Sequence, residues 1–358
     1  MEWKTMTVPE KKFDSSVADL KALLLFGVVV NHAWAASQYI VTPQWPPMPV
    51  WNFFSNVLII SGLPVFFFLS GYFAPTESFS FFSPEYRKLL RKKFSGLFIP
   101  YLLWNALFIV LFLLAARFFP RIGARVESFQ LENVSGILCS LLGIGRRPID
   151  APLWFIRDLM LIFAVLPVWN FLLEKGSYWF LAGLYLIGVF IAPVTDFYPN
   201  YYSICVFCLG LFCRRKQFDL HCFEPHAWAG IAALFLMSLA LFWFPMKLGT
   251  VRAPAGLMCI FGTLVIPCWL GLMRFRHSGW YRRNVTPSAF FIYAAHFLVC
   301  SAFLHLVAPR VPDFPWKMAV LYLVFLAAGC GVLLAGFHFL RRFTPRLLGV
   351  LVGGRADA

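Results

Sequence analysis

The stretch LKALLLFGVVVNHAW, Leu20 to Trp34, is apolar enough to enter a bilayer, yet it carries Lys21 at its start and Asn31-His32 near its far end. His32 is eleven positions on from Lys21, a rotation of about 1100°, or three turns plus about 20°. The two therefore share one stripe of a helix, roughly 16 Å apart along the axis, about half the hydrocarbon thickness. A lysine at a helix end has an ordinary explanation, since it reaches back to the interface. An imidazole halfway through lipid is costly unless it faces a polar cavity or a hydrogen-bonding neighbour. Both outcomes are open for His32, and a neutral imidazole in a cavity can accept a proton.

The rest of the chain extends that membrane pattern. Only 13% of the 358 residues are charged and 60% are hydrophobic, against about a quarter charged in a soluble domain. The net charge of +15 does not mark a nucleic-acid binder, because the cations fall between apolar runs, mostly in alternate gaps. About ten spans of roughly 20 residues can be drawn: 20–40, 51–73, 96–116, 152–173, 178–194, 200–213, 227–245, 253–273, 287–308 and 317–340. The segment 131–143 is apolar but too short to cross, and is expected to be re-entrant or interfacial.

With the N-terminus inside, the inner gaps and ends hold 21 Lys and Arg, the outer gaps 9, and Arg157 lies within a span. That excess places both termini in the cytoplasm. Five of the outer arginines sit in the 117–151 connection, an exception that points to a role for this long loop. Ala33-Trp34-Ala35 resembles a signal-peptidase site, but the preceding region is about twenty residues long and contains Asp14 and Asp19, unlike a secretory leader. The expected fold is an all-α polytopic bundle. One transmembrane domain covers 1–345, and 346–358 forms a short basic cytoplasmic tail.

Nine cysteines are scattered mostly through apolar segments. Cys205 and Cys208 form a CxxC, but the surrounding YYSICVFCLGLFC looks lipid-embedded, so helix packing is preferred over metal or redox chemistry. No metal site is expected. Prolines inside spans (Pro64, Pro100, Pro167, Pro267) leave carbonyls without helical partners, which favours kinked helices around an internal chamber.

Other ionisable residues have definite depths. Tyr293 and His296 lie roughly 9 and 14 Å into the ninth span, which brings His296 level with His32. His296 is expected either to orient His32 or line a tunnel, or simply to bond another helix. Arg157 and Asp158 lie about 8 Å below the outer start of the fourth span. Adjacent on a helix, they are expected to point apart and find partners elsewhere. They suit either a structural ion-pair network or sugar hydroxyls, with Trp154 available to stack. The remaining histidines fall in loops or at span ends.

Lys21-x10-His32 resembles the first helix of the acyltransferase 3 family of membrane acyltransferases, which carries Arg or Lys, ten residues, then His. SGLPVFFFLSGYF at 61–73, the basic run followed by IPYLLWN from Arg87 to Asn105, PLWFIRDL at 152–159 and SAFFIYAAHF at 288–297 also agree, in order and over nearly the whole chain. Lys21 departs from the arginine of many members, keeping the charge but losing bidentate phosphate geometry.

The resemblance implies an enzyme that moves an acyl group, typically acetyl, from acyl-CoA to a hydroxyl of an extracytoplasmic or lipid-linked glycan. The expected setting is the bacterial inner membrane, with no permanently bound cofactor. On that basis His32 is the catalytic candidate, as general base or as acyl carrier. Lys21, Arg87, Arg91 and Lys93 are the CoA-binding candidates, although the topology rule alone also explains five cations in RKLLRKK. Trp154, Arg157, Asp158, Tyr293 and His296 are the substrate-binding candidates. Expected partners are acyl-CoA, a glycan or glycolipid acceptor and the bilayer. A transporter or flippase for a glycan or lipid precursor is the alternative, because mid-membrane ionisable groups and broken helices suit it equally. A scaffold would leave His32 unexplained. The acceptor's identity does not follow from the sequence, and the acyl group stays open between acetyl and succinyl.

Overall fold

The computed structural model describes residues 15–38, 53–54, 60–77, 80–118, 127–190, 200–247, 255–275, 277–307, 310–312 and 317–354. They form helices α1 (Ser15–Gln38), α2 (Leu63–Tyr72), α3 (Pro84–Lys93), α4 (Ile99–Ala116), α5 (Val134–Leu142), α6 (Trp154–Ala164), α7 (Leu166–Phe190) and α8 (Tyr201–Arg215). After these come α9 (Ala227–Lys247), α10 (Ala255–Gly271), α11 (Gly279–Asn284), α12 (Ala289–Leu306), α13 (Lys317–Val324), α14 (Cys330–Phe343) and α15 (Pro345–Leu351). One wide π-type turn joins α3 to α4 and another joins α13 to α14.

Polarity is turned inside out relative to a soluble protein. Trp179, Phe118 and Phe190 are more than 70% exposed, whereas Asn105, Asp150, Asp158, Asn170 and His296 are completely buried. Lipid is the solvent such a surface requires. Among the described residues, four helical runs are long and apolar enough to cross a bilayer: Ser15–Ala33, Pro84–Ala116, Leu220–Trp243 and Lys317–Phe343. The pair Ala151–Ala164 and Leu166–Gly188, bent by 63°, makes a fifth. Leu63–Tyr72, Ile260–Arg274 and Ala289–Phe303 are shorter apolar helices. The chain is an all-α, multi-span bundle.

The bend after α6 falls within the expected span 152–173, where Pro167 favours a kink. Proline lacks the N–H that would bond the carbonyl four residues back, Phe163. Tyr86, buried on α3, donates its hydroxyl to the carbonyls of Phe163 (3.3 Å) and Ala164 (2.6 Å) instead. A second break falls at Ser177 (φ 46°), just ahead of the expected fifth span. On α3 itself, Ser83 caps the N-terminus by accepting from the Tyr86 N–H, and Arg91, Lys92 and Lys93 fill the last turn, where cations suit the helix dipole.

The stretch YYSICVFCLGLFC becomes α8, and it lies in the protein interior rather than against lipid. Cys205 and Cys208 have no exposed surface. Gly71 of α2 and Gly210 of α8 set the approach of these two helices. A Cβ on Gly71 would stand 2.0 Å from the Phe207 carbonyl, and one on Gly210 2.0 Å from the Phe68 carbonyl. Small residues permit this backbone contact between membrane helices.

Two further segments take shape. Within 131–143 the helix is α5, capped by the Asn133 side chain on the Gly136 N–H and ended by Gly143 in the left-handed conformation (φ 71°). The described part of the C-terminal tail begins as a helix, α15. In α15, Leu348 is buried, and the Leu351 carbonyl accepts from Trp104 Nε1 of α4 at 3.1 Å.

Candidate active site

The neighbouring helices α1 and α12 bring His32 and His296 together. Their ring centroids are 5.3 Å apart at an interplanar angle of 49°, with Phe297 edge-on to His32 at 5.8 Å. His32 is half-buried and His296 fully buried. His296 Nδ1 bonds the Tyr293 carbonyl. A carbonyl can only accept, so the proton sits on Nδ1 and the neutral ring presents Nε2 as an acceptor. Nε2 is buried and, among the described residues, has no hydrogen-bond partner.

One turn back on α12, the Tyr293 hydroxyl donates to the Pro152 carbonyl at 2.5 Å. This ties the histidine pair to the segment leading into α6. There Asp150 is fully buried, and neither carboxylate oxygen has a hydrogen-bond partner among the described residues. Its backbone N–H donates to Asn105 Oδ1 (3.0 Å), while Asn105 Nδ2 donates to the Tyr101 carbonyl (2.8 Å), so α4 holds this corner. Burial pushes the Asp150 carboxyl well above the usual carboxylate range, the direction that favours the protonated, donating form. The Tyr101 hydroxyl is another buried group without a partner among the described residues. Asp150 lies within electrostatic reach of Tyr101 and Tyr293, and Arg147 within reach of His32.

Arg157 and Asp158 correct the expectation that helix neighbours point apart. The long arginine side chain folds back, so that Nε and Nη2 donate to Asp158 Oδ1 at 3.0 and 2.8 Å. Arg157 Nη1 also holds the carbonyls of Gly143 and Arg146, and Asp158 Oδ2 accepts from the Asn200 N–H. The buried pair thereby clasps the loop that carries Arg147 and Asp150. Trp154, half-buried at the start of α6, lies 6.3 Å from the Phe67 ring.

The remaining candidates stand away from the paired rings. Lys21 Nζ lies 5.1 Å over the Phe73 ring. Lys93 Nζ lies 3.8 Å over the Phe163 ring, at a mainly apolar cavity of about 470 Å³ that Arg91, Phe94, Phe98 and Met160 also line. Arg87 is exposed on α3. Sequence reasoning missed Asp150, Asn105, Tyr101 and Arg147. The unexplained arginines of the 117–151 loop were the signal for Arg147, which is one of them.

A constellation of two imidazoles, a buried carboxyl and a phenol can move one proton and stabilise one developing negative charge. Comparison with known proteins fits such chemistry. The succinoglycan biosynthesis protein ExoH of Rhizobium meliloti (strain 1021) is 25% identical over 362 residues, covering 95% of this chain and 92% of its own. No solved structure matches. The family model described as an acyltransferase domain, acyltransferase 3, matches residues 19–337, so this enzyme belongs to the acyltransferase 3 family of membrane acyltransferases.

Proposed function

We propose that the protein transfers an acetyl group from cytoplasmic acetyl-CoA to a hydroxyl of a cell-envelope glycan or lipid-linked sugar, with His32 as the general base. It does so in a bacterial inner membrane through about ten crossings, with both termini cytoplasmic. The observation that carries this reading is the facing of His32 by His296, whose Nε2 is a buried acceptor without a partner among the described residues. The family membership and a relative named for succinoglycan biosynthesis support the reaction class and a glycan acceptor.

The acceptor hydroxyl lies against His32, which takes its proton as the oxygen attacks the thioester carbonyl carbon. The carbonyl π electrons move to oxygen, and the Tyr101 hydroxyl with the protonated Asp150 donates to that oxyanion. Donors already in place, in a site closed to water, stabilise such charge without reorganising. The tetrahedral centre collapses, the C–S bond breaks and the CoA thiolate takes the proton back from His32. His296 fixes the orientation of His32, and Tyr293 anchors His296 to the Asp150 segment. Lys21, Arg87, Arg91 and Lys93 contact the donor at the cytoplasmic end. Trp154 faces the acceptor, and the Arg157–Asp158 clasp shapes the outer wall.

The test is His32→Ala in cells that express the protein, with membrane insertion checked and labelled acetyl followed into envelope glycans. Loss of labelling is expected. Labelling equal to wild type would remove His32 from the reaction. Parallel labelling with succinyl-CoA identifies the acyl group.

A further inference from the structure

Away from the paired histidines, α11 and the end of α14 flank an open cavity of about 680 Å³, lined by Arg282, Arg283, Asn284, His338, Arg341 and Arg342. Topology alone places cations in loops, but it does not gather four guanidiniums around one hollow. Asp19 of α1 accepts from Arg282 Nε at 2.7 Å and from the Thr286 hydroxyl at 2.9 Å, so one arginine is neutralised. Among the described residues no carboxylate stands within 4.0 Å of Arg283, Arg341 or Arg342. Three like charges around one hollow create a local positive potential that attracts an anion. The volume exceeds what a single phosphate needs and lies in the usual range for small-molecule sites, about 300–1,000 Å³.

The position narrows the ligand. Pro287 also lines the cavity, at the start of α12. His296 lies nine residues farther along, roughly 14 Å at the α-helical rise. The Asp19 contacts pin the same corner to α1, two residues before Lys21. An anionic anchor at the foot of the helix that carries His296 suits a donor with phosphates at one end and a thioester at the end of a flexible arm. We propose that this cavity binds the phosphorylated adenosine end of the acyl-CoA donor, through Arg283, Arg341 and Arg342, with His338 and Asn284 beside them. The proposal rests on the acyl-CoA reading above and assigns the nucleotide to a cluster outside the Arg87–Lys93 run.

The probe is adenosine 3′,5′-bisphosphate, titrated onto the purified full-length protein in phosphatidylcholine nanodiscs. Arg341→Gln and Arg283→Gln are each expected to weaken its binding about tenfold, the loss of one charge-assisted contact. Arg341→Lys recovers most of that loss. With acetyl-pantetheine, which lacks the nucleotide, Arg341→Gln and wild type transfer acetyl at the same rate, while KM for acetyl-CoA rises about tenfold in the variant.

Unchanged bisphosphate binding in both Gln variants overturns the proposal. So does a loss found only in Arg91→Gln or Lys93→Gln, or an equal fall with acetyl-pantetheine, which marks structural damage. If the variants release only anionic phosphatidylglycerol, the cavity is a lipid site and the proposal fails. Bisphosphate binding that depends on these arginines in a protein without acetyl transfer would uphold the cavity and reject the reaction. Transfer from acetyl-CoA without bisphosphate binding would do the reverse.

Discussion

His296 faces His32 across 5.3 Å between ring centroids, and its Nδ1 is committed to the Tyr293 carbonyl. The carbonyl fixes the tautomer of His296, which leaves Nε2 as an acceptor beside the first ring. His296→Gln keeps an acceptor but loses the ring. It should lower kcat about 10- to 100-fold, with KM for acetyl-CoA within about twofold, because positioning is lost and donor binding is not. A rise in KM with kcat intact, measured on the purified protein, would place His296 in donor binding instead.

Asp150 gives a prediction with a sign in pH. Its carboxyl is raised by burial in the folded protein, so above about pH 4 the unfolded chain has released a proton that the folded chain keeps. The contribution of this group is full below that pH and falls as pH rises, until the raised folded value is passed. Asp150→Asn removes the dependence while keeping a neutral donor. The variant should therefore gain thermal stability over wild type by about 1.4 kcal/mol per pH unit across that window, and it should retain most acyl transfer. A stability difference that does not change with pH would show the carboxyl to be ionised in place.

The Arg157–Asp158 pair should be costly to split. Asp158→Ala leaves a buried guanidinium without its carboxylate, at about 3–5 kcal/mol, and frees the Asn200 N–H. A large drop in the thermal unfolding midpoint in detergent is expected, with activity falling in step. Loss of activity at unchanged midpoint would give the pair a direct part in acceptor binding.

Gly210→Leu should prevent α2 and α8 from closing, since even a Cβ there would meet the Phe68 carbonyl at 2.0 Å. Protease resistance of the inserted protein reports this. A wild-type digestion pattern would mean that these helices do not pack backbone to backbone.

Much of this arrangement can be read from the chain. Lys21-x10-His32 fixes a stripe because the helix period is regular, and depth along two helices is enough to bring His296 level with His32. Asp150 and Tyr101 are not readable in the same way. A carboxylate in a polar loop resembles an ordinary solvated residue until α4 and the loop fold over it, which is a tertiary event carried by Asn105. The Arg157–Asp158 pair eluded helix geometry because a long side chain can fold back on its neighbour. Pro167 announced a bend, but that Tyr86 would supply the missing donor depended on α3 packing against α6.

The central claim is that His32 accepts the proton during acyl transfer, and the purified protein under saturating donor and acceptor tests it most directly. His32→Gln should transfer acetyl about 10²- to 10⁴-fold more slowly than wild type, the usual contribution of a general base, while donor binding stays within about twofold. Transfer by His32→Gln within about threefold of wild type, a gap of less than 1 kcal/mol, would contradict it.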